Sequence, residues 1–200
     1  MRVIVATDIF GRTPAIEALA DTLASQALVE IVDPYDGCPC NFKNEQEAYR
    51  HYTSVCGHDA YLERVIGGIN GSREPCVLVG FSAGASVLWR AIAQGIPMLV
   101  EHCIGFYPGQ IRHHLDLQPN CPTTLVFPCY EQSFDVERAA QVLSAHEQVV
   151  CYQSVYKHGF MNPASLHYSV VEARRFGDLL EDLEMLVDVA AFRRCLLAGR

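Results

Sequence analysis

The chain has 200 residues, of which half are apolar and 19% are charged, and carries a formal net charge of −8. This length suits a single domain, residues 1–200, that buries roughly 70% of its unfolded surface without staples. An acidic chain with no extended basic run argues against nucleic acid or an anionic membrane as partner.

The chain opens on Arg2 to Ala6, a short continuous apolar run that reads as a strand buried on both faces. No charged lead, apolar core and small-residue cleavage site precedes it, so no secretion signal is expected. No apolar run approaches the ~18 residues of a spanning helix, and a cytoplasmic location follows as the expectation. Next comes "TPAIEALADTLAS", with Thr13 placed to N-cap a helix and Pro14 at its first position. Ile16, Leu19, Ala20 and Leu23 recur at helical spacing. Leu28 to Asp33 reads as the second strand. A polar loop through Gly37 leads into a mostly helical stretch from Asn44 to Ile69.

Nine cysteines are scattered along the chain. An odd count without a secretion signal points to reduced thiols. Cys38, Cys40, Cys56 and His58 form C-x-C…C-x-H. Zinc sites usually show wider spacing within each ligand pair, so these residues are read as loop and helix-end thiols and no metal is expected.

Cys76 to Gly80 reads as the third strand and ends in Gly80-Phe81-Ser82-Ala83-Gly84, a G-x-S-x-G motif. A helix from Gly84 to Gly95 follows. Strand, tight turn, then helix makes this motif a nucleophile elbow, with the helix N-terminus aimed at the serine hydroxyl. Met98 to Pro108 reads as the fourth strand region and Thr123 to Pro128 as the fifth. A helix over Asp135 to His146 and a strand over Glu147 to Val155 complete a βα alternation, which predicts a parallel sheet wrapped by helices. From Pro163 onward the chain reads as one long helix and a short one. The basic pairs Arg174-Arg175 and Arg193-Arg194 fall there and are read as solvated helix faces.

A serine hydroxyl needs a base, and the base needs an orienting acid. In this fold both follow the serine, the acid first. Of the later histidines, His146 closes a helix, His167 lies within one, and His113 and His114 sit in a loop of turn character. His158 falls in the loop after the last strand and is the predicted base. After the fifth strand stand Glu131 and Asp135. Asp135 suits a helix cap, so Glu131 is preferred as the acid, while Asp116 is more distant. The oxyanion donors are predicted at the N–H of Ala83 and at Ile9 in "TDIFG", with Phe10 as the alternative. Cys129 beside the acid is read as a small buried or half-buried thiol. Trp89 and Tyr107 suit either a pocket or the core.

"VIVATDIFG", "GFSAG", "IGFYPGQI" and "HGF" together resemble the dienelactone hydrolase family of α/β-hydrolases from Val3 to about Phe176. The resemblance implies a three-layer α/β-hydrolase sheet in a minimal version, with about six mainly parallel strands and helices on both faces. It also implies a nucleophile–acid–His triad cleaving esters or lactones without a cofactor, and a second oxyanion N–H at Ile9. The chain departs from the family in several places. Ser82 stands where the founding enzymes carry cysteine. Asp8 replaces a glutamate before Ile-Phe-Gly, as a hydrogen-bonding group for the loop. Glu131 replaces an aspartate. Met161, Asn162 and Pro163 stand where an arginine holds a substrate carboxylate. The expected function is a serine hydrolase acting on a small-molecule ester, thioester or lactone. The alternative is a hydrolase-like scaffold that binds a small molecule or partner without turnover. A minimal chain leaves room for a homodimer that covers the pocket.

Overall fold

The computed structural model describes residues 1–71, 73–95 and 100–198. Six strands form one sheet: β1 (Arg2–Ala6), β2 (Leu28–Val32), β3 (Cys76–Phe81), β4 (Val100–Phe106), β5 (Thr123–Phe127) and β6 (Val149–Gln153). Their order is β2-β1-β3-β4-β5-β6, and every pairing is parallel. Met98 and Leu99, where the fourth strand was predicted to begin, lie outside the described residues.

Parallel neighbours need crossovers, and α-helices supply all but the one between β4 and β5, which holds only the 3-10 turn Gly109–His113. The crossover helices are α1 (Pro14–Leu23), α2 (Glu45–Val55), α3 (Gly57–Asn70), α4 (Ala83–Ile92) and α5 (Val136–Leu143). The chain closes with α6 (Val170–Leu180), α7 (Leu183–Val187) and α8 (Val189–Ala198). Strand side chains alternate between two cores. Ile4, Ala6 and Leu78 pack with α3, α4 and α5, whereas Val3, Val5, Val77 and Val79 pack with α1, α6, α7 and α8. The sheet is therefore covered on both faces, which is why its central strands read as unbroken apolar runs.

Thr13 caps α1 by accepting from Ile16 N, and Asp135 caps α5 by accepting from Arg138 N, as the sequence predicts. The long helical stretch breaks at Gly57, whose φ of +71° separates α2 from α3. The segment after Pro163 departs further from expectation. Helix was expected from Pro163, but Asn162 Oδ1 accepts from Ala164 N in a local turn. Successive turns follow until Ser169 caps α6. His167 therefore lies outside any helix. Asp182 and Asp188 then cap α7 and α8, so that three helices stand where one long helix and a short one were expected.

In each basic pair one residue is solvated and its neighbour is not. Arg175 bonds Glu172 and the Leu196 carbonyl, and its guanidinium lies over the rings of Tyr152 and Phe176. Arg193 Nε donates to Thr124 Oγ1. Thr124 in turn lies 2.8 Å from Nε2 of the fully buried His102, whose Nδ1 is 3.0 Å from the Leu186 carbonyl. A carbonyl can only accept, so His102 carries its proton on Nδ1 and takes the Thr124 hydroxyl proton on Nε2. Burial holds this imidazole neutral, with its pKa lowered to about 4. The relay ties α7 and α8 to β4 and β5. Among the described residues, no helix is long and apolar enough to cross a membrane.

Candidate active site

The sheet order reverses between β1 and β3, and ligands bind outside the strand ends at such a switch point. Ala6 is the register partner of Gly80 there, so the loop after β1 and the turn after β3 emerge side by side. Ser82 sits on that turn with φ +50° and ψ −108°, an unusual conformation for a residue with a side chain. Close approach on both sides imposes it. A Cβ at Gly84 would lie 2.2 Å from the Ala6 carbonyl oxygen, and one at Gly80 would lie 2.7 Å from the Ala85 backbone. Ser82 N donates to the Phe106 carbonyl at 2.9 Å, and Ser86 Oγ donates to the Ser82 carbonyl.

Ser82 Oγ stands 2.8 Å from His158 Nε2, and His158 Nδ1 stands 2.5 Å from Glu131 Oε1. The carboxylate can only accept, which fixes the proton on Nδ1 and leaves Nε2 free to accept from the serine. Both His158 and Glu131 are shielded, with side chains 32% and 14% exposed. Gly159, at φ +81°, turns the chain directly after the histidine. Asp135 is occupied as the cap of α5. His113 belongs to the 3-10 turn Gly109–His113, and neither it nor His114 or His146 joins the serine.

The loop after β1 is braced from below. Gly11 N and the Thr7 hydroxyl donate to the Asp8 carbonyl, and the Tyr35 hydroxyl donates to the Ile9 carbonyl at 2.6 Å. The Asp8–Ile9 peptide is planar and trans, so anchoring its oxygen fixes its N–H in the opposite direction. Phe10 N is committed to Asp8 Oδ1 at 2.9 Å. Of the two candidate donors in this loop, the Phe10 N–H is thus already bonded within the loop. Ile9, Ala83, Ser82, His158 and Glu131 all line one pocket of about 440 Å³.

Sequence reasoning underrated Asp8 and gave no role to Asn162. Asp8 does more than bond its own loop, because its Oδ2 accepts from Asn162 Nδ2 at 2.6 Å across 154 residues. Burial pushes its carboxyl up to about 6, against the lowering pull of the Phe10 N–H, Asn162 and His158. No local signal could reveal a partner so distant in the chain. Tyr107 is buried and lines the pocket, while Trp89 is a core residue whose indole N–H donates to the His114 carbonyl. Cys129, expected to be buried or half-buried, is exposed beyond the end of β5. Its neighbour Pro128 ends the strand, and the chain turns outward to deliver Glu131. Tyr52 and His58 share a hydrogen bond, and among the described residues no group of three or more His, Cys, Asp or Glu could hold a metal ion.

The chain shares its fold with solved α/β-hydrolases, all at low sequence identity. A dienelactone hydrolase-like promiscuous phosphotriesterase from metagenomic libraries superposes with a TM-score of 0.66 at 15% identity, covering 91% of this chain and 86% of that one. Est1E from Butyrivibrio proteoclasticus gives 0.62 at 10% identity over 95% and 88% of the two chains. Mouse alpha/beta hydrolase domain-containing protein 10 gives 0.60 at 14% identity over 92% and 88%. No protein-family model matches the chain. In sequence it is similar to the uncharacterized protein YczH of Bacillus subtilis (strain 168), at 33% identity over 132 residues. That match spans 64% of this chain and 63% of YczH, less than two thirds of the relative's length.

Proposed function

We propose that the protein is a serine hydrolase of the dienelactone hydrolase type, cleaving a small ester, thioester or lactone in the cytoplasm. The observation that carries this reading is the unbroken hydrogen-bond chain from Ser82 through His158 to Glu131. Ser82 Oγ attacks the carbonyl carbon while His158 Nε2 takes its proton. Glu131 holds the tautomer and stabilises the imidazolium that forms. The N–H groups of Ile9 and Ala83 receive the oxyanion, each worth about 3–4 kcal/mol of barrier when removed. His158 then returns the proton to the leaving oxygen or sulfur, and the tetrahedral intermediate collapses to an acyl-serine. Water, deprotonated by His158, releases the acid. The binding-only alternative has its natural motive in a histidine standing away from the serine, and a separation of 2.8 Å favours turnover instead.

The test is labelling of purified protein by a fluorophosphonate, with hydrolysis of p-nitrophenyl acetate followed in parallel. Wild type is expected to label and turn over, and Ser82→Ala and His158→Ala to lose both while keeping the wild-type melting curve. Full turnover in Ser82→Ala would overturn the mechanism. A folded wild type that neither labels nor hydrolyses would return the binding scaffold to the front.

A further inference from the structure

Beside the reaction pocket lies a second cavity of about 400 Å³, set between α1 and α6. Ile16, Leu19, Phe81 and Met161 give it apolar walls. Its α6 side is made by Val170, Ala173, Arg174, Gly177 and Leu180, with Ala173 and Gly177 one turn apart. Glycine inside a helix costs about 1 kcal/mol against alanine. Space is not short at Gly177, since an added Cβ meets the Glu181 carboxylate at 3.8 Å, an ordinary contact. The missing side chain keeps the cavity open.

The two cavities share a partition of Asp8, Tyr107 and Asn162. The Asp8–Asn162 bond spans it, and the Tyr107 ring lies 5.0 Å from the His158 ring. Tyr107 is 1% exposed, and its hydroxyl makes no hydrogen bond of ordinary geometry among the described residues. The Met161 N–H nearby can only donate to it, so the hydroxyl proton has no acceptor. An unmet buried donor costs about 1–3 kcal/mol. Tyr107 lines both cavities, and the reaction pocket carries Glu45, Gln46, Arg112 and Ser133 alongside Ile9, Phe10 and Ala83. At its size the cavity between α1 and α6, lined mostly by apolar side chains with Thr13, Arg174 and Glu181 among them, fits an apolar ligand that carries an oxygen.

We propose that the cavity between α1 and α6 is the subsite for an apolar chain of the substrate. The chain enters from Ser82 past Asp8, Tyr107 and Asn162, and the Tyr107 hydroxyl donates to an oxygen of the bound molecule. The inference rests on the hydrolase reading and narrows it to esters or thioesters carrying a medium-length alkyl or acyl chain.

Two measurements separate this inference from the reading beneath it. The first needs no turnover. Carbon-13 methyl-labelled methionine reports on Met161 while heptan-2-one, which cannot be hydrolysed, is titrated into wild type and Ser82→Ala. A saturable shift of the Met161 resonance is expected in both proteins, reduced or abolished in Gly177→Leu, and weakened about threefold to tenfold in Tyr107→Phe. The second compares kcat/KM for p-nitrophenyl hexanoate and acetate. The hexanoate-to-acetate ratio is expected to fall about tenfold or more in Gly177→Leu, and in Ala173→Phe should the first variant fold poorly. A Met161 resonance indifferent to the ketone in wild type, or an unchanged ratio in both folded variants, would overturn the subsite. Ketone binding at Met161 without hydrolysis of any ester would sustain the subsite and overturn the hydrolase reading. Hydrolysis without ketone binding would do the reverse.

Discussion

Glu131 and Asp135 lie four residues apart after the same strand, and the two have separate work. Glu131 orients His158, while Asp135 accepts from Arg138 N at the start of α5. Glu131→Gln should lower kcat/KM by on the order of 10³- to 10⁴-fold, because an amide can present its N–H₂ to Nδ1 and favour the wrong tautomer. Asp135→Ala should cost about 1 kcal/mol of stability and leave kcat/KM close to wild type. Ester kinetics and urea unfolding on both variants check the pair, and the opposite pattern would reassign the acid. The preference for glutamate was legible in sequence because a cap suits aspartate at the residue before a helix. The role of Asn162 was not. Its partner Asp8 is joined to it through three-dimensional packing, and no spacing rule spans that distance.

At the scale of elements, the sequence disclosed what depends on neighbours in the chain. Apolar runs marked the strands, Thr13 and Asp135 marked helix starts, and G-x-S-x-G marked the junction of β3 and α4. Two caps at Asp182 and Asp188 were equally readable in type, yet the stretch read as one long helix and a short one. Periodicity reports which face is buried, and α6, α7 and α8 all face the same core, so the pattern continues through the breaks. The segment from Pro163 to Ser169 failed for another reason, since Asn162 is drawn into the partition with Asp8. The β3–α4 junction yields a sharp prediction. In Gly84→Ala the new methyl would meet the Ala6 carbonyl oxygen at 2.2 Å, and only separation of α4 from β1 relieves it. A loss of roughly 3 kcal/mol or more is expected on urea unfolding, together with lost fluorophosphonate labelling as Ala83 N shifts. A wild-type melting curve in this variant would contradict the packing described.

Across the whole molecule, two buried titratable groups, Asp8 and His102, oppose each other. Asp8 has its pKa raised to about 6, so the folded state binds more protons than the unfolded chain between about pH 4 and 6. Its contribution is present at low pH and is lost as pH rises through 6. His102 has its pKa lowered to about 4, so the folded state binds fewer protons than the unfolded chain between about pH 4 and 6.5. Its contribution is present at neutral pH and is lost as pH falls. Each linkage is on the order of 3 kcal/mol at full extent, and the two slopes cancel over much of this range. Asp8→Asn should unmask the histidine, giving a protein whose stability rises from pH 4.5 to 6.5 more steeply than wild type. His102→Gln should do the opposite. Urea midpoints at the two pH values check both, and parallel pH profiles in all three proteins would exclude the opposition.

The same architecture bears on synthesis. Ile9, Ser82, Glu131 and His158 come from the ends of β1, β3, β5 and β6, in that order along the chain. The serine leaves the ribosome long before its base, and α6, α7 and α8 must still follow to cover one face of the sheet. A growing chain thus carries an inert hydroxyl through nearly all of its translation. Under the proposed mechanism the serine has no base until the residues after β6 are made, so half-made copies would hold no armed nucleophile to acylate or to trap.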